Sequence, residues 1–342
     1  MSDRTVDLDV RTATDDDHDA VLDLLQASLG WVPDDQYGRF FAWKHHESPF
    51  GRSPAWVALD GDRIVGFRTF MRWEFERDGA PVRAVRAVDT ATHPEYQGRG
   101  IFTLLTRRAL EDLRADGVAF VFNTPNEKSR PGYLKMGWQL VGRLPVAARP
   151  RSLPSLLRVA RARTAADKWS APTEAGEPIE AALADRSAVE RLLARSTETT
   201  DGGGGGGDAG PLRTRRSVEY LAWRYGFGPL RYRALPVSGP SGDGLVVFRL
   251  RRRGGALEAA VCEELMPPDD AKLRRRAHRE LLRSTGADHA VVIGAPRPTE
   301  GLLPVPGQGP TLVWRDVGET STGNEVPRAD RWLLNLGDVE LF

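Results

Sequence analysis

Thr92-His93-Pro94-Glu95-Tyr96-Gln97-Gly98-Arg99-Gly100-Ile101-Phe102 stands between a strand-like run, Val82 to Thr92, and a strong amphipathic pattern. That pattern places Ile101, Leu104, Leu105, Ala109, Leu110 and Leu113 at helical spacing, with Gly117 to close it. Glycine at 98 and 100 lets the main chain come close to a ligand. The unpaired N–H groups and the dipole at a helix start favour an anion such as a pyrophosphate. Arg99 adds a charge-assisted hydrogen bond.

The elements around this stretch follow from simple periods. Val6 to Val10 alternates as a strand, and Thr14-Asp15-Asp16-Asp17 caps a helix carrying Val21, Leu22, Leu24 and Leu25. A second helix is predicted over Asp34 to Lys44. Trp56 to Leu59 and Ile64 to Phe67 flank Asp60-Gly61-Asp62 as a hairpin, and Phe70 to Glu76 turns at Asp78-Gly79 into Val82 to Thr92. Downstream, Val118 to Phe122 is a buried strand. A short helix over Glu127 to Lys135 and strands at Trp138 to Val141 and Leu144 to Ala148 complete the unit.

The second half replays the first. Tyr220-Leu221-Ala222-Trp223-Arg224 echoes Phe40-Phe41-Ala42-Trp43-Lys44, and Ile179 to Leu193 repeats the strand–Asp–helix opening. Arg275-Arg276-Ala277 through Pro296 matches Arg107-Arg108-Ala109 through Pro125, each a helix running into a buried strand that stops at proline. The reading is of a duplicated α/β domain: residues 1–149, a basic and Pro-rich linker over 150–177, and 178–342. Within the linker, Pro150 to Arg163 is expected to be a helix packing its leucines between domains. The glycine run within Asp201 to Gly210 is a loop without chemistry.

The stretch from Gln97 to Gly100 resembles motif A of the GNAT superfamily of N-acetyltransferases, Gln/Arg-x-x-Gly-x-Gly/Ala, and the likeness extends over Val6 to Ala148, element order included. The pattern wants Gly or Ala where Phe102 stands, so that ring has to point into the core if the pyrophosphate is to sit close. The resemblance implies a mixed, mostly antiparallel sheet flanked by helices, with acetyl-CoA as acyl donor and no metal. It implies a pyrophosphate held by Gln97, Gly98, Arg99, Gly100, Ile101 and Phe102, and a preceding strand that splays so that main-chain groups near Thr90 and Thr92 bond the pantetheine. Gly132-Tyr133-Leu134-Lys135-Met136-Gly137-Trp138 looks like the family's aromatic signature, in which the tyrosine protonates the departing thiolate. For Tyr133 the alternative is plain packing on the sheet. Asn123 and Asn126 are expected to meet coenzyme amides or the strand end.

The general base is less legible. Asp89, on the strand before motif A, is the first candidate, although alternation equally lets it face solvent. Glu47, His93 and the terminal carboxylate of Phe342, after a strand expected over Trp332 to Leu336, follow. The aromatic group Trp31, Tyr37, Phe40, Phe41 and Trp43 reads as core or as a wall of the acceptor pocket. In the second copy no glycine remains between Met266-Pro267-Pro268 and the helix near Asp270, and no tyrosine stands where Tyr133 does, so that copy is expected not to bind coenzyme A.

Composition narrows the field. The 342 residues carry net charge +1, 40% hydrophobic and 28% charged residues, so no global charge argues for nucleic acid or a membrane surface as partner. Apart from Lys44, Lys128, Lys135, Lys168 and Lys272 the cations are arginines. Cys262 stands alone and is expected to be an inert core residue. No signal sequence or long apolar stretch is readable, and a cytoplasmic protein is expected. His45-His46 do not have metal-ligand spacing, no Gly-x-Ser-x-Gly elbow or Ser/His/Asp order occurs, and a dinucleotide fingerprint is missing. The expected activity is acetyl-CoA-dependent N-acylation of a primary amine on a small molecule or protein. The alternatives are a non-catalytic acyl-CoA sensor or scaffold and a Fem-like aminoacyl transferase.

Overall fold

Residues 8–30, 35–161, 164–197, 210–240, 242–318 and 328–339 are described by the structure, a computed structural model. In chain order the elements are β1 (Asp9–Thr12), α1 (His18–Leu29), α2 (Asp35–His45), β2 (Ala55–Asp60), β3 (Arg63–Arg77), β4 (Ala80–Thr92), α3 (Ile101–Ala115), β5 (Phe120–Asn123), α4 (Arg130–Lys135), β6 (Gln139–Arg143) and β7 (Val146–Pro150). Then come α5 (Leu153–Arg161), β8 (Glu177–Pro178), α6 (Ile179–Ala182), α7 (Arg186–Thr197), β9 (Leu212–Thr214), α8 (Val218–Tyr225), β10 (Arg233–Gly239), β11 (Gly242–Arg253) and β12 (Ala256–Leu265). The last are α9 (Ala271–Thr285), β13 (His289–Ile293), β14 (Leu303–Pro304), β15 (Thr311–Asp316), β16 (Trp332–Leu333) and α10 (Leu336–Val339).

Two compact units result, Met1–Gly142 with Leu312–Pro327 and Arg143–Thr311 with Arg328–Phe342. The first sheet runs β1-β2-β3-β4-β5-β15-β6, and the second, read in the same sense, β8-β10-β11-β12-β13-β7-β14. Both are mostly antiparallel, and each has a parallel pair at the same place, β4 with β5 and β12 with β13. The strand at Val146–Pro150, expected to close the first unit, pairs instead with β13 and β14, and β15 takes the place beside β5. Alternation marks a strand but does not say which sheet receives it.

Other expectations shift locally. Ile179 begins a helical turn, not a strand. The basic segment is helical over Leu153–Arg161, and among the described residues its anchor is polar. Ser155 Oγ and Arg158 Nη2 donate to Asp288 Oδ1 at 3.1 and 2.6 Å within the second unit. Trp332–Leu333 is a short strand and Leu336–Val339 a helical turn. Trp31, Phe342, the side chains of Leu156 and Leu157, and the glycine run lie outside the described residues. No helix among the described residues is long and apolar enough to cross a membrane.

Packing seats the first unit's functional edge. One face of its sheet buries Trp56, Val65, Phe70 and Val85 with Ile101, Leu105 and Ala109 of α3. The opposite face buries Val57 and Phe67 with Val21, Leu25 and Phe41 of α1 and α2. Gly66 on β3 makes the close approach to α3 possible: a Cβ there would lie 2.5 Å from Ile101 Cγ2. Removing that one methyl group's worth of space would lift the start of α3 off the sheet.

Candidate active site

The helix start is built as the motif requires. Gly98 and Gly100 have φ of +79° and +80°, a region costly to side-chain-bearing residues. Gly100 is the N-cap of α3 and supplies no side chain to its donors. The first intrahelical bond is Leu104 N to Gly100 O at 3.0 Å, so the N–H groups of Ile101, Phe102 and Thr103 precede it. Gln97 through Gly100 are exposed, and no atom lies within 4 Å of where a Cβ would stand on either glycine. Gln97 Nε2 donates to Thr92 O at 3.4 Å, and Arg99 Nη2 to Glu95 O at 2.9 Å, with its guanidinium over the Tyr96 ring.

Beside that helix start the sheet opens. β4 pairs with β5 only from Ala84–Phe120 to Arg86–Phe122, while β4 continues along β3 to Thr92. Past Arg86 the edge of β4 facing β5 has no strand partner there. Asn123, at the end of β5, is buried, and its Oδ1 meets no donor among the described residues. A buried acceptor without a partner is costly, and this one is left able to accept a further N–H. Asn126 instead spends its Oδ1 on the turn before α4, accepting from Lys128 N and Ser129 N at 3.0 and 2.9 Å.

Tyr133, Phe102 and Thr90 meet on the α3 face around a residue that the sequence did not single out, Arg68. Its guanidinium is fully buried. Nη1 donates to Tyr133 Oη at 3.0 Å and to Thr90 Oγ1. Its carbon sits 4.2 Å from the Phe70 ring centre, 5.2 Å from that of Phe102 and 5.4 Å from that of Tyr133. Three aromatic faces thus take the place of a counter-ion. Nε and Nη2 have no acceptor among the described residues. The Phe102 ring packs edge-on to Tyr133 at 5.5 Å and against the α3 core, so it points inward, as its departure from the motif demanded.

Asp89 lies on a β-bulge. The pairing of Arg68 with Thr90 and of Thr69 with Val88 leaves it as the extra residue, at φ +33°. The bulge turns consecutive residues to opposite faces: Thr90 toward Arg68 and α3, Asp89 toward α2. There Asp89 Oδ2 receives Lys44 Nζ at 2.7 Å and His45 Nε2 at 2.8 Å. Burial would push the Asp89 carboxyl up, but Lys44 and His45 outweigh it and hold it below the usual carboxylate range. Burial pushes His45 down, against the pull of Asp89. His45 Nδ1 lies 3.0 Å from Ser53 Oγ. Of the other base candidates, Glu47 is exposed and His93 is engaged by Arg63 at 2.7 Å.

The structure therefore gathers Thr90, Phe102 and Tyr133, sets Asp89 one residue away on the other face, and leaves Gln97 to Gly100 at the exposed rim. Arg68, Lys44, His45 and Ser53 escaped sequence reasoning. The strand period gives Arg68 no sign of burial, and a bulge leaves no mark in composition. The repeat Phe40-Phe41-Ala42-Trp43-Lys44 was visible, but only as an echo.

Residues 9–141 match the family model described as an acetyltransferase (GNAT) domain. No curated protein matches the sequence. Among solved structures, a probable N-acyltransferase from Enterococcus faecalis is similar over 91% of this chain and 73% of its own, at 14% identity and a TM-score of 0.63. A GCN5-related N-acetyltransferase from Kribbella flavida is similar over 92% of this chain and 72% of its own, at 17% identity and a TM-score of 0.59. One from Anabaena variabilis gives 91%, 73%, 12% and 0.61 for the same quantities. At such identities the likeness is one of fold.

Proposed function

We propose that the first unit, whose residues 9–141 match the acetyltransferase (GNAT) domain model, transfers an acyl group from acyl-CoA to a primary amine. The observation that carries this is the uncapped start of α3 behind two left-handed glycines, next to the opening between β4 and β5. The main-chain N–H groups from Gly98 to Thr103 would hold the pyrophosphate, and the unpaired edge of β4 near Thr90 and Thr92, with Asn123, the pantetheine. Acetyl-CoA is the expected donor.

Tyr133 is the acid for the leaving thiolate. Because its oxygen accepts from Arg68 Nη1, the phenol's own hydrogen is left to donate elsewhere. Main-chain N–H groups on β4 would polarise the thioester carbonyl. The second unit is read as a degenerate copy that binds no coenzyme.

Calorimetric titration with acetyl-CoA, followed by thiol release on adding amines, tests the assignment. The expected result is binding to the wild type and thiol release that requires amine. Tyr133→Phe is expected to lower kcat roughly 100-fold with acetyl-CoA affinity unchanged. Retention of acetyl-CoA without amine-dependent thiol release would leave a sensor of acyl-CoA in place of an enzyme. A protein that retains no acyl-CoA would overturn both.

A further inference from the structure

On the α1 and α2 face of the first unit lies a cavity of about 300 Å³, whose walls include His18, Phe41, His45, Ser53, Phe67 and Thr69. Two of these belong to a chain of hydrogen bonds that ends on the bulge: Ser53 Oγ to His45 Nδ1 at 3.0 Å, then His45 Nε2 to Asp89 Oδ2 at 2.8 Å. An ionised carboxylate only accepts, so Nε2 carries the imidazole hydrogen and donates it to Asp89. Nδ1 is then the acceptor, and the Ser53 hydroxyl donates to it. The order serine, histidine, aspartate, with these roles, is that of a proton-abstracting triad. Residue numbers 53, 45 and 89 hid it from any search for a motif.

We propose that Ser53, His45 and Asp89 form a relay that removes the proton from an acceptor ammonium bound in this cavity, an inference that rests on the acyl-transfer reading above. The acceptor ammonium donates to Ser53 Oγ while the serine proton passes to His45 Nδ1. Asp89 steadies the resulting imidazolium through Nε2–H. The neutral amine's electron pair then forms the bond to the thioester carbon, the C–S bond breaks, and sulfur takes its proton from Tyr133. The second amine proton, lost after the C–N bond forms, balances the one that Tyr133 gives, and the first leaves His45 for solvent. Ser53 touches the acceptor and is catalytic; Asp89 acts through His45 and is a positioning residue.

Two features support the relay. Asp89 and Thr90 are consecutive, and the bulge sends one toward Lys44 and His45 and the other toward Arg68. The relay is thus anchored on β4 at Asp89, next to the residue that shares Arg68 with Tyr133, and its outer end is Ser53 in the cavity wall. The serine is also not needed for burial of charge, since Lys44 and His45 already pair Asp89. His45 is faced by Lys44 of its own helix, by His46 just past the helix end and by Asp89 of β4, and the cavity wall adds His18, Asp15 and Arg52. Asp15 is engaged by Arg52, so the lining holds no carboxylate left over for a polycation. Phe41 and Phe67 suit the apolar body of a monoamine.

The test uses the full chain with acetyl-CoA and two amines, 2-phenylethylamine, which is an ammonium at neutral pH, and aniline, which is already neutral. Ser53→Ala is expected to lower kcat for phenylethylamine on the order of 100-fold, to leave aniline close to wild type, and to leave acetyl-CoA affinity unchanged. His45→Gln should show the same split, and Ser53→Ala keeps the test open if that variant does not fold. Equal losses on both amines, or no loss on either, overturn the relay alone. An acetylated Ser53 in the intact mass after exposure to acetyl-CoA also overturns it, since the serine would then be a nucleophile. A wild type that releases no thiol with either amine overturns the acyl-transfer reading itself.

Discussion

The bulge on β4 of the first unit and the bulge on β12 of the second occupy the same place in the same topology, yet only one of them bears a carboxylate. In the second sheet the register shift between Val247 and Phe248 leaves Cys262 as the extra residue, where the first has Asp89. Where Lys44 and His45 close α2, Arg224 and Tyr225 close α8. Arg224 bonds Gly337 O and Tyr232 Oη, and Tyr225 Oη donates to the Cys262 carbonyl at 3.2 Å. The helix starts differ in the same sense. α3 begins on a bare glycine, but α9 is capped by Asp270, whose Oδ1 accepts from Leu273 N at 2.9 Å. Beyond the parallel pair of β12 with β13, Arg297 bonds Glu264 and Arg274 bonds Glu300, both at 3.0 Å. At this one place the second unit thus satisfies a helix-start donor from within, and the first leaves its helix start bare.

Exchanging residues between these equivalent places puts the comparison at risk. The largest effect is expected from Asp89→Cys, which installs the second unit's bulge residue in the first. It strips the buried Lys44 and His45 of their counter-charge, so unfolding stability should fall by about 3–5 kcal/mol, read from denaturant midpoints. An unchanged midpoint would mean that the two bulges are not doing different electrostatic jobs.

Next is Gly100→Asp, which imports the capping carboxylate. Backbone strain at φ +80° and like-charge repulsion at the helix start together should weaken acetyl-CoA binding roughly 100-fold, measured by calorimetry. The converse Asp270→Gly should create no binding, because the Glu264–Arg297 bridge still spans the opening. Binding gained there would sink the account of the second unit.

The smallest effect is the pH dependence that His45 gives the first unit. His45 is pushed below its ordinary value of 6.5, chiefly by burial. As pH falls through about 6.5 the unfolded chain takes up a proton that the folded one refuses, so the contribution is present above that pH and lost below it. Asp89, held below the carboxylate range, adds a loss of the same sign only in stronger acid. The melting temperature should therefore drop between pH about 7.5 and about 5.5, and drop less in His45→Gln. His46, also pushed down by burial, keeps part of the slope.

The sequence was most readable where one local rule sufficed. The period of Ile101 to Leu113, the positive-φ need at Gly98 and Gly100, and the turns at Gly61 and Asp78-Gly79 all follow from neighbours a few residues apart. Tyr133 was visible through its flanking pattern, and the missing glycine before α9 through its absence. Asp89 was noticed, but its direction was not, because a bulge breaks the alternation on which direction is judged. Arg68 stayed hidden because an arginine in a strand normally faces water, and its burial depends on Phe70, Phe102 and Tyr133 coming from three separate segments.

From the amino-acid order alone came the α/β class, the bare glycine-led start of α3 and the loss of that feature in the second half, since each rests on contacts within one or two turns of chain. Tertiary structure alone decided that Val146–Pro150 and Thr311–Asp316 serve sheets distant in sequence, and that Ser53, His45 and Asp89 share a line of hydrogen bonds. Strand partnership and side-chain encounter are settled by long-range packing, and hydrophobic periodicity carries no record of which distant partner will arrive.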